Sequence, residues 1–330
     1  MNHLYFGDCL EVLKELAANN EPFIDLIYID PPFNSKRNYN VLFENINLKD
    51  SNAQKQAFAD TWSNVLYIIE LNNISELNKD LFDLLSFFDR CKSVNDSAVA
   101  YLTTMAVRIW FMHKLLKNTG SFYLHCDQTM SHYLKLICDI IFGEKNFQND
   151  IVWKRTFAHS DAKRYSRVSD TILFYSKTAA FKFNKIKLGY NKDYLDRYYG
   201  NTDKTNNKRY ALDSLVKPKG SIGYFYDLCG CAAPPNGWRM PQEKANIWLA
   251  EGRIAIPKTG KTPRYKRYID EVNGLSQTNI WTDLPPINSQ AKEALGYPTQ
   301  KPEALLERII NTSTNEETLS LISFAAAAQV

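Results

Sequence analysis

Phe23-Ile24-Asp25-Leu26-Ile27-Tyr28-Ile29-Asp30-Pro31-Pro32-Phe33 is the stretch on which the reading of the fold turns. Residues 23–29 form a near-continuous apolar run of strand length, which suits a strand covered on both faces, as in a parallel sheet. Two consecutive prolines then stiffen the turn, remove two backbone donors and leave the carbonyls near Asp30 and Pro31 free to accept hydrogen bonds. An acidic group, a bare carbonyl and the aromatic plane of Phe33 are thus presented together at the end of a buried strand. A purely structural turn after a strand would have the same sequence, so the surroundings decide between the two readings.

Upstream, Leu4-Tyr5-Phe6 reads as a short strand, and Asp8 caps a helix with apolar residues at Leu10, Leu13 and Leu16 that ends before Pro22. Downstream, residues 40–97 are rich in Asn, Asp and Ser with apolar patches such as 81–88, and read as an insertion containing short helices. Leu102, Met105, Ile109, Met112 and Leu116 follow helical spacing, and Asn118-Thr119-Gly120 supplies a stop signal. Residues 121–124 read as a strand ending at His125-Cys126-Asp127, 133–142 as a second amphipathic helix stopped by Gly143, and 151–153 and 171–175 as further strands. Alternating strands and helices predict an α/β sheet with ligand sites at the carboxyl ends of its strands. Residues 181–286 break that rhythm: they are basic, rich in Tyr, Gly and Pro, and without a long helical period, which predicts a separate loop-rich region. The amphipathic stretch 302–310 returns the chain to the core. The expected organisation is therefore a catalytic α/β core over 1–180 with an insertion at 40–97, a recognition region over 181–286, and a return to the core over 287–330.

Over 330 residues, 45% hydrophobic and 13% aromatic content provides for a sizeable core and excludes disorder of the whole. No apolar run approaches the roughly 18–20 residues of a membrane helix, and MNHLYFGDCLEVLKEL lacks the secretory pattern of basic then apolar residues. A cytoplasmic protein without membrane attachment is expected. The six cysteines are scattered, and Cys229-Gly-Cys231 lacks the spacing of a zinc site. Residues 1–150 hold 13 Lys+Arg against 19 Asp+Glu, whereas residues 151–330 hold 27 against 17, so the net charge of +4 hides halves of −6 and +10. The basic half is a candidate polyanion-binding surface. Its densest segments are Lys154, Arg155, Lys163, Arg164 and Arg167, beside the predicted strands, and Lys258, Lys261, Arg264, Lys266 and Arg267. Trp238 and Arg239 in GWRMP read as structural.

The segments GDCLEVLKEL (7–16), DLIYIDPPFN (25–34), YLTTMAVRIWFMHKLLKNTGSFYLHCDQTMSHYLKLICDIIFG (101–143), NDIVWKRTFAHSDAKRYSRVSDTILFYSK (149–177), GWRMP (237–241), EGRIAIPKTGKTPRYKRYIDE (251–271) and TDLPPINSQAKEALGYPTQKPEALLERII (282–310) resemble a site-specific amino-DNA methyltransferase. The resemblance is to the group with its catalytic tetrapeptide near the N-terminus, shared by type III modification subunits and related type II enzymes. It implies a permuted Rossmann-like methyltransferase sheet, S-adenosyl-L-methionine as cofactor, and double-stranded DNA as partner within a restriction-modification system. A restriction subunit or a second copy of the chain is the implied protein partner. Asp30, Pro31, Pro32 and Phe33 match the catalytic tetrapeptide, and an Asp at its head is associated with adenine N6. Asp8, Lys301 and Pro302 fall on the cofactor side, and 181–286 becomes the DNA target-recognition region. The chemistry agrees. An adenine amino group is a poor nucleophile because its lone pair is delocalised, and Asp30 with the Pro31 carbonyl can accept from its two protons while the carboxylate stabilises charge developing on nitrogen. Phe33 would stack on the base once it leaves the duplex.

The cofactor loop departs from the family pattern. Where members carry a glycine loop of FxGxG type, often FCGCGT, this chain has Phe324, Ala325, Ala326, Ala327 and Ala328, followed by Gln329 and Val330. Alanine adds a methyl group where backbone must approach the ligand and disfavours positive φ. Codons for Asp-Leu-Phe-Cys-Gly-Cys-Gly-Thr, read one base later, give Ile-Ser-Phe-Ala-Ala-Ala-Ala-Gln, which are residues 322–329 in order. The expectation is a C-terminally truncated sheet, an open apolar edge beside the strand at 25–29, and an inactive product. A non-catalytic DNA-binding pseudo-enzyme uses the same residues without the chemistry. Four histidines, His113, His125, His132 and His159, match no metal-ligand spacing, and a metal-dependent hydrolase using Asp30, His125 and Asp127 is the alternative enzyme class.

Overall fold

A computed structural model describes residues 5, 9–31, 33, 64–91, 94–158, 163, 165–190, 192–256, 262–272, 274–288, 291–294, 300–315 and 318–324. The chain divides into two compact units, Met1–Lys185 with Thr278–Val330, and Ile186–Gln277. The smaller unit is narrower than the expected 181–286, because Ile280 and Trp281 pair with Val152 and Trp153 in the sheet of the larger unit.

In chain order the larger unit begins with α1 (Cys9–Asn19), β1 (Ile24–Asp30), α2 (Asn64–Leu77), α3 (Lys79–Arg90), α4 (Asp96–Leu115), β2 (Leu116–Cys126), α5 (Ser131–Phe142), β3 (Phe147–Lys154) and β4 (Ser169–Ser176). The smaller unit follows with β5 (Lys187–Leu188), α6 (Lys192–Tyr198), β6 (Asn201–Thr202), β7 (Arg209–Ser214), α7 (Gln242–Ala250), β8 (Ile254–Ala255), β9 (Arg264–Tyr268) and β10 (Leu275–Ser276). β11 (Ile280–Trp281), α8 (Glu303–Ser313) and β12 (Ser320–Phe324) then complete the larger unit.

The six strands among its described residues lie in the order β11-β3-β4-β2-β1-β12. β12, β1 and β2 run parallel, β4 is antiparallel to both β2 and β3, and β11 is parallel to β3, so β4 alone runs against the others. This is a Rossmann-like α/β sheet. β1 is buried on both faces, as its apolar run predicts: Ile24, Ile27 and Ile29 pack with residues of α1 to α5, while Leu26 and Tyr28 pack with Leu305 and Ile309 of α8.

Three expectations are corrected. β12 lies against β1 in parallel register from Leu26↔Ser320 to Asp30↔Phe324, so the edge of β1 expected to be open is covered. The stop signal at Asn118-Thr119-Gly120 falls inside β2, since α4 ends at Leu115 and the chain passes directly into strand. Extended backbone there is held by bonds from Lys182 N to Thr119 O and Lys177 N to Gly120 O. The described part of the 40–97 insertion is an integral layer: Ile74, Leu81, Leu85 and Phe88 are buried, and Glu70 accepts from Thr104 at 2.6 Å and Arg108 at 3.2 Å. Burying four such side chains contributes several kcal/mol at about 1.5–3 kcal/mol each, too much for an appendage.

The smaller unit is less loop-like than its composition suggests. Its described residues include two short α-helices, a four-stranded antiparallel sheet β6-β7-β9-β8 and the pair β10-β5. Leu215, Leu228, Trp238, Met240 and Ala245 form its core, and Trp238 donates from Nε1 to Tyr226 O at 2.8 Å. Gly223 is required by close approach, because a Cβ there would stand 2.2 Å from the Trp238 carbonyl oxygen. No helix of the described residues is long and apolar enough to cross a membrane.

Candidate active site

The carboxyl ends of β12, β1 and β2 lie side by side, which is where ligands bind in open α/β sheets. Asp30 is the last residue of β1 and is buried. Its Oδ2 accepts from Lys301 Nζ at 2.5 Å, with the two side chains only 6% and 7% exposed. Lys301 stands just before α8, whose N-cap is Pro302. The ammonium also lies 5.4 Å from the centroid of the Phe33 ring, a cation–π contact. Asp30, Phe33 and Lys301 therefore meet, although 271 residues separate the acid from the base. Asp8, Pro32, Arg164, Lys258, Lys261, Ala325, Ala326 and Ala327 lie outside the described residues, as does His159.

Phe33 also leads to a buried polar chain. The Phe33 and His125 ring centroids are 5.8 Å apart at 31°. His125 is fully buried; its Nδ1 meets the Tyr28 hydroxyl at 2.9 Å and its Nε2 meets Asp170 Oδ2 at 3.1 Å. A carboxylate can only accept, so Nε2 carries a proton, and the Tyr28 hydroxyl occupies Nδ1. Burial, reinforced by the charges of Asp30 and Asp170, pushes the Tyr28 hydroxyl well up and keeps it a donor. Asp170 Oδ1 takes Arg155 Nε at 2.9 Å, and the Trp153 ring stands edge-on to His125 at 5.7 Å.

Sequence motifs single out neither Tyr28 nor Asp170. Asp170 does carry a signal, since a carboxylate beside the apolar strand TILFYS must find a partner when buried. Asp127, by contrast, is spent on the turn before α5, where it accepts from the backbone of Thr129 at 3.1 Å and Met130 at 3.0 Å. That hydrogen bonding is an Asp turn ahead of the helix and argues against the hydrolase reading that made Asp127 a ligand.

The basic residues separate into two kinds. Lys163 and Arg167 are exposed, Arg155 is half exposed, and Lys154 lies over the Phe157 ring at 5.1 Å. In the smaller unit Arg264 is exposed, whereas Lys266 and Arg267 each pair with a carboxylate of the same unit, Lys266 with a buried one and Arg267 with one at the surface. Lys266 donates to Asp203 at 2.7 Å with its side chain only 16% exposed, and Arg267 pairs with Asp213 at 3.2 Å. Asp203 also accepts from Tyr268 at 2.6 Å and from Thr205, and these donors hold its carboxyl below the usual carboxylate range.

A DNA methylase family matches residues 24–321. The chain is 28% identical to the type III restriction-modification enzyme StyLTI Mod subunit of Salmonella typhimurium, over 97% of this chain and 48% of that protein. It is 29% identical to the type II methyltransferase M.EcaI of Enterobacter cloacae, over 69% and 50%, and 23% identical to the DNA adenine methyltransferase YhdJ of Escherichia coli, over 97% and 70%. The chain thus spans about half the length of the first two.

Proposed function

Since the chain belongs to the DNA methylase family, we propose that its larger unit is the acceptor site for methyl transfer from S-adenosyl-L-methionine to adenine N6 in DNA, as part of a restriction-modification system. The observation that carries this reading is the buried end of β1, where the Asp30 carboxylate, the Pro31 backbone and the Phe33 ring are presented together. Asp30 Oδ2 is held by Lys301, which leaves Oδ1 to accept one proton of the amino group while the Pro31 carbonyl accepts the other. Fixing the carboxylate beforehand removes reorganisation from the reaction and places negative charge where positive charge develops. Phe33, backed by His125, offers its ring to the extruded base. Lys154, Lys163 and Arg167 on the larger unit and Arg264 on the smaller supply phosphate contacts, with 186–277 reading the target sequence.

Of the residues expected on the cofactor side, Lys301 is committed to Asp30 and Pro302 caps α8, so neither forms a cradle for the methionine part of S-adenosylmethionine. The segment after Phe324 carries alanines at positions where the family pattern has glycines. These residues do not fit the cofactor well, and this chain binds it weakly and turns over slowly or not at all. A second reading, a DNA-binding pseudo-enzyme, rests on those same alanines.

The experiment is a methyl-transfer assay on mixed-sequence duplex DNA with nucleoside analysis of the product, paired with calorimetry of cofactor binding. The unaltered chain is expected to bind weakly. Ala326→Gly with Ala328→Gly should raise affinity and yield N6-methyladenine, and adding Asp30→Ala should abolish transfer without abolishing DNA binding. N4-methylcytosine as the main product would overturn the adenine assignment. Tight cofactor binding and robust turnover by the unaltered chain would overturn the assigned effect of the alanines. Silence of the glycine variant on DNA it binds would favour the pseudo-enzyme.

A further inference from the structure

We propose that Arg155, Asp170, His125 and Tyr28 form a positioning relay by which a DNA phosphate contacting Arg155 sets the orientation of Phe33 beside Asp30. The inference rests on the DNA-binding reading above and adds to it a route from the backbone contact to the acceptor site.

The relay is continuous. Arg155 Nε is 2.9 Å from Asp170 Oδ1, Asp170 Oδ2 is 3.1 Å from His125 Nε2, and His125 Nδ1 is 2.9 Å from the Tyr28 hydroxyl. Its inner members are buried, with His125 at 0%, Tyr28 at 1% and Asp170 at 3%, while the Arg155 side chain is 47% exposed. Each link comes from a different part of the sheet: Tyr28 from β1, His125 from β2, Asp170 from β4, and Arg155 from the residue following β3. The antiparallel register of β2 and β4, in which His125 faces Ile172 and Cys126 faces Thr171, carries Asp170 past the end of β2 to meet the ring.

Chemistry fixes the inner part in one state. Both ring nitrogens of His125 are occupied, one by a carboxylate that only accepts and one by a hydroxyl, so the ring cannot flip without stranding buried polar groups. The ring thereby has one orientation, and Phe33 lies against it at 5.8 Å. The outer part has two states. A guanidinium carries five N–H donors, so the one given to Asp170 leaves others for a phosphate oxygen. A phosphate competes with Asp170 for the same positive charge. When it arrives, Arg155 is drawn outward, the Asp170 carboxylate follows or loses its counter-charge, and the Nε2–H bond that aims His125 changes. Because the interior is close-packed, a small shift at Asp170 reaches the Phe33 face through His125. Phe33 and His125 belong to the site, whereas Arg155 and Asp170 act through them and are positioning residues.

The test uses the whole chain with nitrogen-15-labelled histidine. Five histidines keep the spectrum simple, and His125→Gln assigns the signal. A mixed-sequence duplex is the probe, and fluorescence polarisation of labelled duplex reports binding separately. In the wild type, free His125 should show a protonated Nε2, and saturation with DNA should shift its Nε2 signal. In Arg155→Gln, polarisation should still saturate at several-fold higher DNA concentration, while the DNA-induced His125 shift is abolished. Arg155→Lys should bind DNA near wild-type strength and give a reduced shift, since an ammonium lacks the fork. A merely structural Arg155–Asp170 pair would alter the free spectrum of Arg155→Gln and leave the DNA-induced shift intact, which would overturn the relay. Wild-type protein that binds DNA with no His125 response would overturn it as well, while leaving the DNA-binding reading standing. Absence of binding by polarisation would instead remove the DNA-binding reading, and the relay with it.

Discussion

Replacing Lys301 with Met removes the cation from a buried carboxylate while nearly conserving volume. The pair is closed at 2.5 Å with side chains 7% and 6% exposed, so solvent cannot substitute for the missing partner. Removing one member of such a pair costs about 3–5 kcal/mol, because the other charge stays buried and uncompensated. For a unit of about 240 residues the unfolding entropy is near 0.5 kcal/mol/K, so that cost lowers its Tm by roughly 6–10 °C. Asp30→Asn should cost a comparable amount, since it leaves the Lys301 ammonium without its carboxylate. The double change Asp30→Asn with Lys301→Met removes both charges and should cost about 2–4 kcal/mol less than the sum of the singles. Urea unfolding followed by circular dichroism, with thermal melts in parallel, measures all four proteins. If each single change costs under about 1 kcal/mol and the double equals their sum, the pair is screened by water and the preorganised carboxylate at the end of β1 is refuted.

Four further outcomes follow from the same structure. Burial, reinforced by Lys177, holds the His113 imidazole down to about 4. The unfolded chain therefore takes up a proton below about pH 6.5 that the folded chain refuses, and stability should fall by about 1.4 kcal/mol per pH unit from there until it levels near pH 4, with His113→Gln flattening that slope in urea titrations. Asp203 is held low by Lys266, Tyr268 and Thr205, so its stabilisation is complete above the unfolded carboxylate value of about 3.9 and disappears as pH falls below it; Asp203→Asn should remove this acid-sensitive component in melts of the smaller unit. Gly223→Ala forces a methyl group to 2.2 Å from the Trp238 carbonyl and should make residues 186–277 susceptible to protease while the larger unit stays resistant. Lys163→Glu with Arg167→Glu should weaken duplex binding and reduce the slope of log K against log salt by about 0.9 for each phosphate that is no longer neutralised, and an unchanged slope would place the DNA surface elsewhere.

The parts of the fold legible in the sequence are those written in local pattern. The apolar run of β1, the Asp-Pro-Pro-Phe turn and the helix ending at Gly143 all depend on neighbours within a few residues, and the structure has β1 at 24–30 and α5 closing at Phe142. The end of α4 is misread because Asn118-Thr119-Gly120 is a sound helix stop locally, yet pairing with β1 claims Leu116 for the sheet. α2 and α3 look like an appendage because polar residues dilute their apolar face, which becomes visible only where Ile74, Leu81 and Leu85 reach the core. At the site, Asp30 and Phe33 can be named from one motif. Their partners cannot be paired with them, since Lys301, His125 and Asp170 arrive from distant segments and no spacing announces such meetings. Lys266 reads as a surface charge because charge density does not distinguish an exposed lysine from one facing Asp203.

The pairing of β1 with β12 also sets a schedule for folding on the ribosome. Asp25 waits for Leu319, 294 residues later, to accept its backbone N–H, and the whole 186–277 unit is made in the interval. At about 5–20 residues per second that interval lasts roughly 15–60 s, during which one side of an apolar strand has no native neighbour. Residues 186–277 can fold in that time, and β1 can join β2, but Asp30 meets its ammonium only once Lys301 has left the ribosome. The soluble yield of this protein should therefore rise with faster translation after β1, or with co-expressed chaperones that shield strand edges, more than with substitutions that stabilise the finished fold.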